Sequence, residues 1–170
     1  MKRLATNGIF ISLALIFSYL EKFIPFELII PIPGIKLGLA NIVTIAALIL
    51  LDVKSAVVIT ILRCILANML FGTPMSMMIA VSGATMALMV MAVLKTGYNR
   101  IYSIIGISAA GAAAHNIGQI AAASLVMKST AVFAFLPFLL IASMLTGFVT
   151  GVIAKSIISR LEGFRLNTES

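Results

Sequence analysis

Hydrophobic residues in this chain form long continuous runs, separated by short polar stretches or by stretches that contain Pro and Gly. The runs lack the strict alternation of apolar and polar residues that strands of a membrane barrel show. Runs of about 20 apolar residues are typical of helices that cross a bilayer. The pattern predicts an all-α membrane protein, a bundle of six transmembrane helices at residues 4–22, 36–51, 55–71, 75–94, 101–127 and 131–161.

The connections between these helices are short except for one Pro-rich segment, residues 23–35. Pro25, Pro31 and Pro33 cannot continue a helix, so we expect an outer loop there. The six helices use nearly the whole chain, which predicts one integral membrane domain over residues 1–170. Lys2 and Arg3 before the first run resemble a signal peptide, but no small-residue cleavage site follows, so we expect a retained helix.

Composition strengthens the membrane assignment. Hydrophobic residues make up 62% of the chain and charged residues 10%, with a mean hydropathy of +1.20. A soluble domain is about half apolar and about a quarter charged. The solvent for most of this surface must therefore be lipid. The net charge of +7 is explained by basic residues that flank the helices, so we expect no nucleic-acid partner.

The basic residues also predict the orientation. With six helices, both termini lie on one side of the membrane, and eight of the twelve Lys and Arg residues fall on that side. They are Lys2, Arg3, Lys54, Lys95, Arg100, Lys155, Arg160 and Arg165. Lys22, Lys36 and Lys128 fall on the opposite side. Because cytoplasmic loops carry an excess of Lys and Arg, we expect both termini in the cytoplasm.

Several polar residues fall at membrane depth, where they are costly and usually face a cavity or a partner. Arg63 lies roughly 15 Å along its helix, near the midplane. The others fall in the predicted outer half, and together they suggest a pocket for a small molecule with negative charge or several acceptors. The predicted substrate-binding residues are Lys36, Asn41, Arg63, Asn68, His115, Asn116 and Gln119.

A structural role for the same residues stays open. Arg63 could bind backbone carbonyls, and the amides could tie neighbouring helices together. No second His and no suitably spaced Cys accompanies His115, so we predict no metal site and no cofactor. Cys64 lies in an apolar run and is expected to be a small buried side chain.

Small residues at helical spacing suggest close helix contacts. In the fifth helix they are Gly106, Ala110, Ala114, Gly118 and Ala122, and in the sixth Gly147 and Gly151. Packing within the bundle is the simpler interpretation for these stripes. Ala5, Gly8 and Ser12 on the first helix form the predicted docking face for another membrane subunit.

Four segments carry a resemblance to a known family. They are Pro33-Gly34-Ile35-Lys36-Leu37-Gly38-Leu39-Ala40-Asn41-Ile42, Ile61-Leu62-Arg63, Phe71-Gly72-Thr73-Pro74 and Ala114-His115-Asn116-Ile117-Gly118-Gln119. In this order they resemble the bacterial family called Gx transporter or heptaprenyl diphosphate synthase component I. That family is similar to the substrate-binding S components of energy-coupling factor (ECF) transporters. The resemblance implies six helices, a pocket near the outer face, and location in the bacterial plasma membrane.

The two family names imply two functions. The first is a substrate-binding subunit for uptake of a vitamin, a flavin, or an isoprenoid or quinone precursor, working with an ECF-type coupling subunit and ATPases. The second is a non-transporting membrane partner of a polyprenyl diphosphate synthase. Prenyl elongation uses Mg²⁺ held by clustered Asp carboxylates, and Asp52 is the one Asp in this chain, so we expect no enzyme activity.

Overall fold

The computed structural model describes residues 2–23 and 38–168, with the side chains of residues 3–21, 23 and 38–161. These residues form six α-helices and two 3₁₀-helices, and no strand occurs within these ranges. The α-helices are α1 (Lys2–Leu20), α2 (Asn41–Leu50), α3 (Val53–Phe71), α4 (Pro74–Lys95), α5 (Ile104–Met127) and α6 (Leu136–Thr168). The 3₁₀-helices are Glu21–Phe23, which follows α1, and Thr130–Phe135, which precedes α6.

The helix bounds differ from the predicted ones by three residues or more at four places, one of which is the start of α6, at Leu136 rather than at 131, because a 3₁₀-helix precedes it. α2 begins at Asn41 rather than at residue 36, because residues 39–40 form a turn. α5 begins at Ile104 rather than at 101, because Ser103 caps it. α6 continues to Thr168, past the predicted end at 161. Lys36 and residues 24–35 of the predicted outer loop lie outside the described residues.

Side-chain caps explain where two of the helices begin. The Asp52 carboxylate accepts a hydrogen bond from the Ser55 backbone N–H at 2.6 Å, at the amino end of α3. This bond lowers the pKa of Asp52 below its usual value. At the start of α4, Thr73 and Ser76 satisfy each other's backbone N–H groups in a capping box, and Pro74 takes the first helical position.

Cross-helix contacts show that α3, α4, α5 and α6 run antiparallel in sequence. Cys64 and Asn68 of α3 contact Ala80 and Ser76 of α4, respectively. Likewise, Asn116 contacts Leu139, and Ser108 contacts Thr150 further down α5 and α6. We call the end at which α1, α3 and α5 finish and α4 and α6 begin the upper end, and the opposite end the lower end.

α2 is a short helix at the centre of the bundle. It has 10 residues, and its first eight, Asn41 to Leu48, are all buried. It contacts α1, α3, α4, α5 and α6. At 1.5 Å per residue it is about 15 Å long, half the thickness of a bilayer core. Because it ends at the lower end, its amino end lies near mid-depth.

Four stretches among the described residues are long and apolar enough to cross a membrane: Arg3–Leu20, Val53–Phe71, Pro74–Lys95 and Thr130–Leu161. This confirms an all-helical, membrane-type chain. α5 has 24 residues but is not among these four stretches, and twelve of its residues are buried. A helix that faces protein on much of its surface does not need an apolar side chain at every position. The six-span arrangement stays a prediction.

Glycines on α5 and α6 allow backbones to approach closely. A methyl group on Gly147 would lie 2.5 Å from Cα of Ala109, and one on Gly151 would lie 2.8 Å from Cα of Ile105. A methyl group on Gly118 would lie 2.9 Å from the carbonyl oxygen of Ser82 on α4. These three glycines of the predicted stripes therefore pack within the bundle. Gly8 of α1 would meet no atom within 4 Å.

Gly147→Ala should destabilise the protein, because its Cβ would meet the backbone of α5. Overpacking of this kind costs about 1–3 kcal/mol, so the melting temperature in detergent should fall by roughly 5 °C. Gly8→Ala is the matched control and should leave the melting temperature unchanged or slightly higher. Equal melting temperatures for the two variants would contradict the α5–α6 contact.

Candidate ligand site

Buried polar side chains gather from mid-depth towards the upper end. Among the described residues, the upper polar cluster comprises Ser18, Glu21, Asn41, Thr44, Thr60, Arg63, Asn68, Ser76, His115, Asn116, Gln119 and Ser143. Below it, the buried polar side chains are Ser108 and Thr150, whose hydroxyls lie 2.9 Å apart. The lower half is otherwise packed by apolar residues of all six helices.

Glu21 ties the upper end of α1 to the start of α2. Its carboxylate Oε1 accepts hydrogen bonds from the backbone N–H of Gly38 at 2.5 Å and of Leu39 at 3.4 Å. These N–H groups precede the first turn of α2, where the helix dipole favours negative charge. The Glu21 carboxylate therefore holds the amino end of α2 in place.

Asn41, His115 and Gln119 lie around two glycines. A methyl group on Gly38 would lie 2.7 Å from Nδ2 of Asn41 and 3.5 Å from Cδ2 of His115. A methyl group on Gly83 would lie 2.6 Å from Cγ of Gln119 and 3.2 Å from Cε1 of His115. Gly38 has φ +83°, a conformation that glycine adopts without strain. The His115 ring thus lies between the start of α2 and α4.

Arg63 lies at the same level as Asn41 on the neighbouring helix. The hydroxyls of Thr44 and Thr60 lie 3.2 Å apart and fix the register of antiparallel α2 and α3. Asn41 is one turn above Thr44, and Arg63 is one turn above Thr60. The register therefore brings these two residues to one depth in the bundle.

The Arg63 guanidinium is buried, and most of its donors have no partner within the described part of the chain. Nη1 donates to Oγ of Ser18 on α1 at 3.4 Å, a long hydrogen bond. Nε and Nη2 have no hydrogen-bond partner there, and neither has Oδ1 or Nδ2 of Asn41. Arg63 and Asn41 are only 6% and 4% exposed. Buried polar groups are normally hydrogen-bonded, so these atoms call for a polar partner that is not among the described residues.

Two other predicted site residues use their amides inside the protein. Asn68 donates from Nδ2 to the carbonyl oxygen of Cys64 at 2.8 Å, and its Oδ1 accepts from Oγ of Ser76 at 2.8 Å. Asn116 donates from Nδ2 to the carbonyl oxygen of Leu139 at 2.9 Å. These bonds join α3 to α4 and α5 to α6.

A family model described as heptaprenyl diphosphate synthase component I matches residues 10–157. The chain belongs to this family. The matched range contains every residue of the upper polar cluster, and membership confirms the resemblance predicted from the sequence. Comparison with curated proteins and comparison with solved structures gave no match. The family description implies a membrane component associated with a heptaprenyl diphosphate synthase.

In this member of the heptaprenyl diphosphate synthase component I family, the fold brings four predicted residues into one region: Asn41, Arg63, His115 and Gln119. Their role as substrate-binding residues stays a prediction, as does that of Asn68 and Asn116. Lys36 lies outside the described residues.

Sequence reasoning missed two members of the site, Ser18 and Glu21. Ser18 ends an apolar run, where a lone hydroxyl carries no signal. Glu21 adjoins the predicted outer loop in the sequence, yet it is buried, and its backbone partner Gly38 lies 17 residues further along the chain.

The two amides Asn41 and Asn68 should respond differently to replacement by Leu. Asn68→Leu removes the hydrogen bonds to the Cys64 carbonyl and from the Ser76 hydroxyl, which costs about 1–3 kcal/mol and should lower the melting temperature by several degrees. Asn41→Leu removes no hydrogen bond of this side chain, so the melting temperature of dialysed protein should stay equal or rise. A larger loss for Asn41→Leu would show that its amide has a structural partner.

Proposed function

We propose that this protein is a substrate-binding membrane subunit that takes up a small anion through a site centred on Arg63. The proposal rests on two guanidinium donors of Arg63, Nε and Nη2, which have no hydrogen-bond partner in the described bundle. They form one edge of the guanidinium plane, since Nη1 is the donor that contacts Ser18. This edge matches two oxygens of a carboxylate or a phosphate.

Burial makes this edge selective for anions. A charge at membrane depth is expensive unless it is paired, and its attraction for an opposite charge is strong in a medium of low dielectric. An anion at Arg63 would supply the missing partner. Asn41 lies at the same depth and would contact the same molecule.

The half-length helix α2 supports the same proposal. Membrane transporters use interrupted helices whose amino ends point at anionic groups of the substrate near mid-depth. Here the amino end of α2 lies near mid-depth beside Arg63, with His115 next to Gly38. The N–H groups before this end are taken by Glu21, so the substrate anion would contact Arg63 rather than the end of α2.

We further propose six spanning helices with both termini in the cytoplasm of a bacterium. Arg3, Lys54, Arg100, Lys155 and Arg160 are exposed at the lower end. The positive-inside rule makes that end cytoplasmic, so the upper polar cluster faces the outer half of the membrane. A substrate would enter from outside.

The face of α1 that carries Ala5, Gly8 and Ser12 is our proposed docking face for an ECF-type coupling subunit that works with ATPases. All three residues are exposed, and α1 contacts only α2, α3 and the adjoining 3₁₀-helix among the described elements. The Ser12 hydroxyl donates to the Gly8 carbonyl at 3.0 Å, so the face carries no hydroxyl in need of a partner. Small residues allow a second helix to approach closely.

The family description favours a second candidate, a non-transporting membrane partner of a polyprenyl diphosphate synthase. A prenyl diphosphate would place its phosphates at Arg63 and its chain among apolar helices. In either role the chain would act without catalysing a reaction, since Asp52 at the lower end cannot form the Mg²⁺ site that prenyl elongation uses.

Arg63→Lys should weaken anion binding although it keeps the charge, because an ammonium cannot present two parallel donors. Binding of orotate and of geranyl diphosphate, one carboxylate and one diphosphate, can be measured by titration in detergent. The tighter of the two should lose about tenfold or more in affinity, and Arg63→Met should lose further. Arg100→Lys at the lower end is the control. Unchanged affinity in both Arg63 variants would refute the site.

Mass spectrometry of what copurifies from native membranes tests the two roles. A membrane coupling subunit with ATPases should be retained by wild type and lost from a Gly8→Leu variant, because a bulky side chain blocks the proposed face. Gly106→Leu, on an exposed part of α5, is the control. Recovery of a soluble prenyl-transferring enzyme in their place would favour the second candidate.

A further inference from the structure

The Asn41 side chain indicates which polar groups the substrate has in addition to its negative charge. Its amide presents a donor, Nδ2, and an acceptor, Oδ1, and both are buried without a hydrogen-bond partner in the described bundle. We infer that the anion bound at Arg63 also carries an adjacent donor and acceptor, the edge of an amide or ureide, which pairs with Asn41. This inference rests on the proposed function and narrows its substrate class.

Local backbone groups do not occupy the Asn41 amide. An Asn at a helix start usually caps the helix. Here Ala40 is the capping residue, and no side-chain cap is formed. The N–H groups of Gly38 and Leu39 are taken by Glu21, and those of Asn41 and Ile42 by turn carbonyls. The amide is therefore left available for a group that is not part of α2.

The other buried asparagines show that the bundle can satisfy an amide when the amide is structural. Asn68 uses both of its amide atoms inside the protein, and Asn116 bonds to the backbone of α6. Asn41 differs from both, although it is equally buried. An amide with both atoms open is matched best by another amide-type edge, which offers one acceptor and one donor side by side.

Geometry allows one small molecule to reach both Asn41 and Arg63. The Thr44–Thr60 contact places the two residues at one level on adjacent helices. Packed helices have axes about 8–10 Å apart, so their facing side chains converge within the width of a small molecule. The absence of a side chain at Gly38 lets the Asn41 amide lie against its backbone, since a methyl group there would be 2.7 Å from Nδ2.

This chemistry separates the two candidate functions. A prenyl diphosphate presents acceptor oxygens to Arg63 and to Nδ2 of Asn41, but it has no donor for Oδ1. A buried acceptor without a donor weakens binding. A compact acid with an N–H group satisfies both side chains, so the site favours it over a prenyl diphosphate.

Three probes test the inference on the full-length protein in detergent. Orotate has a carboxylate and a ureide edge, benzoate has a carboxylate alone, and geranyl diphosphate has phosphates without an N–H donor. Wild type should bind orotate at least about tenfold more tightly than benzoate. Asn41→Leu and the smaller Asn41→Ala should abolish this difference, while Arg100→Lys at the lower end should keep it.

Each other outcome has a defined meaning. Three results would overturn the inference and leave the anion site standing, provided that Arg63→Met still weakens the binding of every probe. They are equal binding of orotate and benzoate by wild type, a preference of wild type for geranyl diphosphate, and a difference between orotate and benzoate that persists in both Asn41 variants. If Arg63→Met binds all probes like wild type, or if no probe binds wild type, the proposed anion site fails as well.

Discussion

A helix that begins at mid-depth in a membrane leaves backbone N–H groups where water cannot reach them. In this protein that helix is α2, and the carboxylate of Glu21 accepts hydrogen bonds from the two backbone N–H groups that precede its first turn, those of Gly38 and Leu39. The end of α1 is thereby attached to the centre of the bundle. The short length of α2 makes room for the upper polar cluster, since a full-length apolar helix would fill that depth with hydrocarbon.

The two buried charged side chains, Glu21 and Arg63, differ in how many hydrogen-bond partners they have among the described residues. The charge of Glu21 meets the positive end of the α2 dipole and two backbone donors. The charge of Arg63 meets one hydroxyl dipole, that of Ser18, at 3.4 Å. The first group is held as a structural anchor. The second has two buried donors, Nε and Nη2, without a partner among the described residues, and the proposed ligand site rests on this difference rather than on burial itself.

The sequence predicts the helices well because apolar runs report directly on lipid exposure. It also identifies Arg63 and Asn41, since polar residues at membrane depth are rare. The start of α2 was placed too early, because residues 36–40 continue the apolar pattern and only the conformation of Gly38 and the turn that follows interrupts it. The sequence does not show which buried amides have hydrogen-bond partners. Those partners lie on other helices, as Ser76 does for Asn68, and spacing along one helix does not reveal contacts with another.

The cluster lies between a tightly packed half of the bundle and a peripheral helix. α4, α5 and α6 meet at glycines where backbones touch, so parting them would break extensive contact. α1 is held near Arg63 by one long hydrogen bond and, above it, by the rings of Tyr19 and Phe71, whose centroids lie 5.1 Å apart. Glu21 adds the bonds to the backbone of Gly38 and Leu39, so α1 is attached to α3 along its length and to the start of α2 at its upper end.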